Sequence, residues 1–183
     1  AVATHPYSVG YDFNHESQAT RQFFKDVFAH WINDYKIDGF RIDLSKGLTQ
    51  KNTGSDVGAW SAYDQSRINI ITDNYNAIKA VDPDTYVILE HLAQNDEEKV
   101  LANSGLLLWS AMQGQYKQVA MGWQENSDVS WAYHGSRGFN YPNLVDYMDN
   151  HDEERIIFES LSFGNGSGGY SAKDSVTAVQ RME

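Results

Sequence analysis

The chain has 183 residues, which is enough for one domain with a sizeable hydrophobic core. Its formal net charge is −11, from 14 Lys and Arg against 25 Asp and Glu, and it has no cysteine. This composition excludes disulfides, thiolate metal sites and cysteine nucleophiles. With no basic patch for phosphates and no membrane-length apolar run, we expect neither nucleic acid nor a membrane as a partner.

Helical and strand patterns alternate along the first half of the chain. Ser17 is a candidate N-cap, and apolar side chains then recur at i, i+3 and i+4 as far as Tyr35, which predicts an amphipathic helix. A later helical pattern ends at Asp82-Pro83, because proline cannot continue a helix. The predicted elements are a loop over 1–16, a helix over 17–35, a strand over 37–43, a loop over 47–63 and a helix over 64–81.

The same alternation continues through the second half. Its predicted strands are 86–90, 105–109 and 144–148, its predicted helices are 96–104, 110–122, 153–162 and one that begins near 173, and its predicted loops are 123–143 and 163–170. Helix–strand repeats with short connections on one side and long loops on the other indicate parallel βαβ units. The predicted class is therefore α/β.

Three of the predicted strands end in carboxylates. The first ends at Asp43, the second at Glu90, and the third leads into Asn150-His151-Asp152. In an α/β barrel, residues at the C-terminal ends of parallel strands face the mouth where chemistry occurs. Glycoside hydrolysis needs an acid/base and a nucleophile on either side of one bond, so these carboxylates predict glycoside chemistry.

Arg41 and Asp43 lie two residues apart on the first of these strands, so both side chains point to one face. A guanidinium beside Asp43 favours the ionised carboxylate that a nucleophile needs to attack an anomeric carbon. The alternative is an Arg–Asp pair that only holds the fold together.

Glu90 ends an otherwise apolar strand, and apolar surroundings raise the pKa of a carboxyl group. A general acid must keep its proton near neutral pH, so this position suits one. The alternative is an exposed carboxylate at a strand end with a nearby cation as its partner.

The polar run after the third strand offers His151 as a donor and Asp152 as an acceptor for sugar hydroxyls. The alternative is a helix N-terminus, with Asp152 as its N-cap and Glu153 and Glu154 interacting with the helix dipole. We predict no metal site, because adjacent residues do not converge easily on one ion and no second histidine cluster is evident.

In this order, the three segments resemble the α-amylase family, glycoside hydrolase family 13. The family's second signature reads roughly Gly-Phe-Arg-x-Asp and then Lys-His, which is similar to residues 39–43, with Lys46 at the lysine and Gly47 in place of the histidine. The third signature ends a strand with a glutamate, as at Glu90, and the fourth is Asn-His-Asp, as at residues 150–152. The resemblance implies a (β/α)8 barrel, also called a TIM barrel, that acts on α-linked glucans such as starch or maltooligosaccharides.

The resemblance also implies roles for seven residues. Three carboxylates would be catalytic, with Asp43 as nucleophile, Glu90 as acid/base and Asp152 as transition-state stabiliser. Four residues would bind substrate: Arg41, Lys46, His91 and His151. The implied reaction proceeds through a covalent glycosyl-enzyme with retention of configuration.

The resemblance covers only part of the family's catalytic domain. The first signature, an Asp followed four residues later by Asn-His, is absent, and so is the final strand. Residues 1–183 would correspond to the third helix through the seventh strand and helix, about half of a barrel that typically needs ~250 residues. We therefore expect Ala1 to be an internal position and the isolated chain to have little or no hydrolytic activity. Open sheet edges and apolar inner strand faces predict that it self-associates.

The resemblance implies no required cofactor. In many relatives, calcium is bound by the Asn of the first signature and by the backbone carbonyl at the position of Gly47 here. Because that signature is absent, calcium is an expectation for the parent enzyme rather than for this chain.

Two further functions stay open. A branching enzyme or glucanotransferase would form the same covalent intermediate, with the acceptor selected by loops such as 47–63 and 123–143. A non-catalytic glucan-binding module is the other alternative, although the presence of all three carboxylates argues against it for the parent enzyme. Analysis of the products from maltooligosaccharides would separate hydrolysis from transglycosylation. Binding without turnover in the reconstituted full chain would favour the glucan-binding module.

Overall fold

Four parallel strands form one sheet, in the order β1-β2-β3-β4. This computed structural model describes residues 6–7, 11–167, 169 and 171–182. Neighbours in the sheet are also consecutive in the chain, so each connection is a crossover, as the alternating pattern predicted. The parallel α/β sheet fits part of a (β/α)8 barrel. Its strands are Gly39–Ile42 (β1), Tyr86–Leu89 (β2), Leu107–Ser110 (β3) and Leu144–Asp146 (β4).

The helices connect and cover these strands, and α1 packs against α3. Within the described ranges, none of them is long and apolar enough to cross a membrane. They are Gln18–Tyr35 (α1), Val57–Ser61 (α2), Gln65–Val81 (α3), Asn95–Asn103 (α4), Gln113–Met121 (α5), Ile156–Phe163 (α6) and Ser175–Gln180 (α7).

The predicted loop over 47–63 contains a helix that the sequence pattern does not reveal. The Asp56 carboxylate accepts a hydrogen bond from the backbone N–H of Ala59 at 2.9 Å and begins α2. A helix of this length has too few turns to show apolar periodicity. A 3₁₀ turn, Ser45–Leu48, also precedes it. The predicted loops over 1–16 and 163–170 lie partly outside the described residues.

The helix after β4 begins later than predicted, at Ile156 rather than at Glu153. Both oxygens of the Asp149 carboxylate accept from the Ile156 N–H at 3.2 Å, so Asp149 satisfies a donor at the helix start. The interpretation of Asp152 as the N-cap is therefore wrong, because Asp152 lies outside α6 in the preceding turn.

One face of the sheet carries the hydrophobic core. Val87, Leu89 and Leu108 are buried on this face and pack against the inner sides of α1, α3 and α4. Full burial of one such side chain contributes about 1.5–3 kcal/mol. The core and the helices therefore fix the positions of the strand ends.

Gly39 lets β1 and β2 approach closely at the start of their pairing. A Cβ at this position would lie 2.9 Å from the Tyr86 Cβ and 3.0 Å from the Tyr86 carbonyl oxygen. Part of that contact is with backbone, which cannot move aside, so only glycine fits the observed register. The register in turn aligns Ile42 with Leu89 and brings the two strand ends together.

The opposite face of the sheet is only partly covered. Tyr86 is 61% exposed, and Ile88, Leu107 and Val145 on the same face are half-buried. In a closed barrel this face would point inward and meet the side chains of other strands. An apolar surface of this kind favours association between copies.

Ile88→Lys is expected to preserve the fold and to reduce self-association, because the added charge lies on the half-exposed face and repels a second copy. Light scattering of both proteins over a concentration series measures this change. Val87→Lys is the matched control, since it places the same charge in the core and is expected to unfold the chain. A wild-type chain that remains monomeric throughout the series would contradict the prediction.

Candidate active site

The ends of β1 and β2 place two carboxylates side by side. Ile42 pairs with Leu89, so Asp43 and Glu90 occupy the next aligned positions, at the C-terminal edge of the sheet. The Glu90 N–H donates to the Ile42 carbonyl at 3.0 Å, and the Ser45 N–H donates to the Glu90 carbonyl at 2.8 Å. The backbone of Glu90 is therefore held from both sides by the strand and turn that carry Asp43.

Arg41 joins the two carboxylates through its guanidinium. Its Nη1 lies 2.7 Å from the Asp43 Oδ1, and its Nη2 lies 2.5 Å from the Glu90 Oε2. The same Glu90 oxygen accepts from the backbone N–H of Leu44 at 3.3 Å. One rigid fork therefore links the two carboxylates directly, in addition to the backbone bonds that hold Glu90.

The two carboxyl groups have different environments. The Asp43 side chain is 76% exposed, whereas that of Glu90 is 13% exposed. Burial raises the pKa of Glu90, and the charge and hydrogen bond of Asp43 raise it further, while the Leu44 N–H and the charge of Arg41 lower it. The net result is a pKa of Glu90 above its ordinary value, which suits a group that must hold a proton near neutral pH.

Trp109 and Tyr147 also belong to this cluster, although sequence reasoning did not select them. The Arg41 Cζ lies 4.3 Å from the centroid of the Trp109 ring, and the rings of Trp109 and Tyr147 are 4.9 Å apart. Burial raises the pKa of Tyr147, and the nearby charge of Glu90 adds to the effect. The sequence feature that could have identified these two residues is their position at the strand ends. Trp109 lies near the end of β3, and Tyr147 directly follows β4.

Asp152 and His151 lie on the exposed segment after β4. Their side chains are 60% and 66% exposed, and the His151 Nε2 lies 3.5 Å from an Asp152 carboxylate oxygen. The His151 ring is 6.5 Å from that of Trp109, so Trp109 connects this segment to Arg41. The structure thus brings the Asn-His-Asp segment to the edge that carries Asp43 and Glu90.

His91 and Lys46 occupy positions that differ from those expected of substrate contacts. His91 has no exposed surface, because its Nδ1 contacts the Ser45 Oγ at 2.9 Å and its Nε2 contacts the Glu97 Oε1 at 2.8 Å. The Lys46 ammonium donates to Ser61 and to the Leu92 carbonyl at 3.2 and 3.1 Å. Lys46 is also buried, and burial lowers its pKa. As placed, both side chains are buried and bond to protein groups. Their contact with sugar stays a prediction.

Arg67 and Glu97 form a buried ion pair that contacts His91. The Arg67 Nε and Nη2 donate to the two carboxylate oxygens of Glu97 at 2.6 and 2.7 Å, and neither side chain is exposed. Arg67 also donates to the backbone carbonyls of Lys46, Trp60 and Ala62. Burial alone would raise the pKa of Glu97, but hydrogen bonds from His91 and Arg67 lower it below its ordinary value.

Two leucines next to the carboxylates have left-handed backbone conformations. Leu44, directly after Asp43, has φ 41°, and Leu92, two residues after Glu90, has φ 53°. Residues with a Cβ adopt this region at a cost of roughly 1–2 kcal/mol each. Such strain concentrates at functional sites, where the surrounding structure holds it in place.

The described residues contain no cluster of metal-ligating His, Asp or Glu side chains. Among them, no group of three or more His, Asp or Glu side chains could hold a metal ion. The backbone carbonyl of Gly47 alone falls short of the six to eight oxygen ligands that calcium prefers.

Comparison with known families matches the alpha-amylase catalytic domain to residues 7–165, most of the chain. The chain belongs to the alpha-amylase family. The matched range includes β1 to β4 and every residue of the cluster described above. A search of curated proteins found no match. Membership in this family supports a glycoside hydrolase function in the broad sense.

In this alpha-amylase family member, Glu97→Gln is expected to lower the free energy of unfolding by about 3 kcal/mol at neutral pH, because it leaves the Arg67 charge buried without its partner. Denaturant unfolding measures the change. The depressed pKa of Glu97 stabilises the fold above the unfolded value near pH 4.3, and this contribution is lost as pH falls through the folded pKa. The difference from wild type should therefore shrink in acid. The exposed Glu125→Gln serves as control, and an equal effect there would contradict the prediction.

Arg41→Gln is expected to raise the pKa of Glu90 further, because it removes the cation that favours the ionised form. Carbon-13 NMR titration of the glutamate carboxyls measures this shift. Because the folded pKa of Glu90 is already raised, its contribution to stability is complete at acid pH and is lost as pH rises through that pKa. Lys99→Gln, which removes one positive charge from α4, should leave the Glu90 titration unchanged. An unchanged or lower pKa in Arg41→Gln would refute this account.

Proposed function

We propose that this chain carries the reactive part of a retaining glycosidase that acts on α-linked glucans such as starch and maltooligosaccharides. Membership in the alpha-amylase family supports the substrate class. The arrangement of Arg41, Asp43 and Glu90 supports the reaction type. We further propose that β1 to β4 are the fourth to seventh strands of an eight-stranded barrel, and that residues 1–183 are a partial catalytic domain.

The observation that carries the proposal is the single guanidinium shared by Asp43 and Glu90. It holds the two carboxyl groups close enough that the charge of Asp43 contributes to the raised pKa of Glu90. An inverting enzyme separates its two carboxyls by roughly 6.5–9.5 Å to admit a water molecule, whereas a retaining enzyme keeps them about 5–5.5 Å apart. A close pair therefore favours direct attack by one carboxylate.

The environments of the two carboxyl groups support the roles that we propose for them. Glu90, with its raised pKa, donates its proton to the glycosidic oxygen as the bond to the leaving sugar breaks. Asp43, exposed and bonded to Arg41, attacks the anomeric carbon and forms the glycosyl-enzyme. Glu90, now deprotonated, takes a proton from the incoming water, whose oxygen displaces Asp43 and releases the sugar with retained configuration.

Asp152 and His151 act on the sugar from the exposed segment that follows β4. Their exposed side chains offer an acceptor and a donor to the sugar hydroxyls. Hydrogen bonds that strengthen at the transition state contribute several kcal/mol in this chemistry. The assignment of Asp152 as transition-state stabiliser rests on the resemblance of residues 150–152 to the family's fourth signature.

A fluorinated substrate that traps the intermediate tests this proposal. We expect a 5-fluoro α-glycosyl fluoride to add its glycosyl mass to the peptide that contains Asp43, as measured by mass spectrometry. Mass spectrometry detects a trapped glycosyl-enzyme even when substrate turnover is slow. We expect slow turnover because the inner face of the sheet is open to water. Retention is checked by proton NMR of the first product anomer released from maltooligosaccharides.

Two variants, Glu90→Gln and Asp43→Asn, test the proposed roles of the two carboxyl groups separately. Fluoride leaves without protonation, so Glu90→Gln should still be labelled but should release the sugar at least about 100-fold more slowly. Asp43→Asn should not be labelled. Labelling of another carboxylate, or inverted product, would refute the mechanism. Oligosaccharide products longer than the substrate would instead indicate transglycosylation through the same intermediate.

A further inference from the structure

Trp109 and Arg41 lie on the same face of the sheet, although their strands are not neighbours. Arg41 on β1 is aligned with Ile88 on β2, and Ile88 is aligned with Leu107 on β3. Because side chains alternate along a strand, Trp109 points to the same face as Leu107. Neighbouring strands are about 4.8 Å apart, so the Arg41 side chain extends across β2 to reach Trp109. The contact therefore depends on the direction in which one long side chain points.

The guanidinium of Arg41 lies over the Trp109 ring, with its Cζ 4.3 Å from the ring centroid. This distance is well within the ~6 Å at which the face of an aromatic ring attracts a cation. The same guanidinium bonds to Asp43 through Nη1 and to Glu90 through Nη2. A planar group that is held through two of its nitrogens and by a ring beside it has little rotational freedom left.

The ion pair between Arg41 and Asp43 is a weak restraint by itself. The Asp43 side chain is 76% exposed, and ion pairs at exposed positions contribute little because water competes for both charges. An arginine side chain also loses much rotamer entropy when it is fixed in one orientation. The contact with Trp109 offsets this loss, because an aromatic ring attracts the cation without competing for its N–H groups.

The Trp109 ring is held in turn by aromatic neighbours on the segment that follows β4. Its centroid lies 4.9 Å from that of the Tyr147 ring and 6.5 Å from that of the His151 ring. A cavity of about 220 Å³, which Trp131 also lines, borders Trp109 as well. Since no side chain packs closely against the ring at this cavity, its position depends on Tyr147 and on the guanidinium of Arg41.

We infer that Trp109 is a positioning residue for the proposed reaction, because its ring holds the Arg41 guanidinium in the orientation that bonds both Asp43 and Glu90. Trp109 acts through Arg41 and not by contact with the reacting atoms. The catalytic consequence of this inference rests on the proposed function. The orientation of the guanidinium is a property of the folded chain and is measured without substrate.

Two roles of Trp109 predict opposite changes in the pKa of Glu90. If the ring only covers Glu90, its removal exposes the carboxyl group and lowers this pKa, because burial is the largest cause that raises it. If the ring holds Arg41, its removal frees the guanidinium and raises the pKa, because the charge of Arg41 lowers it. Only the second effect requires Arg41, so the two are separated by comparing chains with and without this side chain.

Carbon-13 NMR titration of the glutamate carboxyls makes this comparison for Trp109→Leu in the wild-type chain and in Arg41→Gln. We expect Trp109→Leu to shift the pKa of Glu90 upward in the wild-type chain relative to its effect in Arg41→Gln, where no guanidinium remains to be displaced. Trp109→Tyr should restore the wild-type titration in large part, since it keeps an aromatic face. Trp31→Leu, on α1, is the matched control, because Trp31 is 43% exposed and should leave the Glu90 titration unchanged.

A second measurement needs no variant and so does not depend on the folding of Trp109→Leu. Proton NMR of the wild-type chain should show the hydrogens at the end of the Arg41 side chain upfield of those of Arg21, because they lie over the Trp109 ring. Arg21 on α1 is a suitable reference, since its side chain pairs with Asp73 and is 35% exposed. Equal resonance positions for the two arginines would overturn the inference.

The titrations and the labelling of Asp43 have separate outcomes. Equal pKa shifts of Glu90 in the two backgrounds overturn the positioning role, because the effect would not pass through Arg41. With the 5-fluoro α-glycosyl fluoride, Trp109→Leu should label Asp43 about threefold more slowly or more, the factor expected from losing one cation–π contact. Equal labelling rates also overturn the inference. A wild-type chain that is never labelled overturns the proposed function, while unequal pKa shifts would still uphold the hold of Trp109 on Arg41.

Discussion

The buried ion pair between Arg67 and Glu97 is the interaction on which the rest of this structure depends. Glu97, at the start of α4, accepts from Arg67, from His91 and from the backbone N–H of Asp64. Its carboxylate therefore ties α4 to α3 and to the segment that follows β2. Removing one member of such a pair leaves an uncompensated buried charge, which makes the connection costly to break.

The position of Glu90 follows from this network. His91, next to Glu90 in sequence, is fixed between Glu97 and Ser45. The Ser45 N–H and hydroxyl in turn both donate to the Glu90 carbonyl. Ser45 thus holds the backbone of Glu90, while Arg41 bonds to its carboxylate. The site is supported from rigid elements, which the geometry of catalysis requires.

Trp109 contacts two regions at the C-terminal edge of the sheet. On one side lie Arg41, Asp43 and Glu90, whose charges interact directly. On the other side lies the cavity beneath Trp131, in which Arg137 and Glu98 neutralise each other. Trp109 therefore lies between a cluster of interacting charges and a cavity whose two charged side chains neutralise each other.

The sequence by itself determined the order of the elements and which strand ends carry carboxylates. Long helices such as α1 and α3 and apolar strands such as β2 have strong periodic patterns, and Asp43, Glu90 and Asp152 follow strands that parallel pairing brings to one edge. A short helix such as α2 has too few turns to show apolar periodicity in the sequence. Its start is marked only by the hydrogen bond that the Asp56 carboxylate accepts. Tertiary structure alone decided that His91 and Lys46 face inward and that Trp109 joins the site. The direction of these side chains depends on buried partners, such as Glu97 and Leu92, that lie on other elements. Pairing across such distances leaves no periodic signal in the chain, because it is set by how helices and strands pack rather than by neighbouring residues.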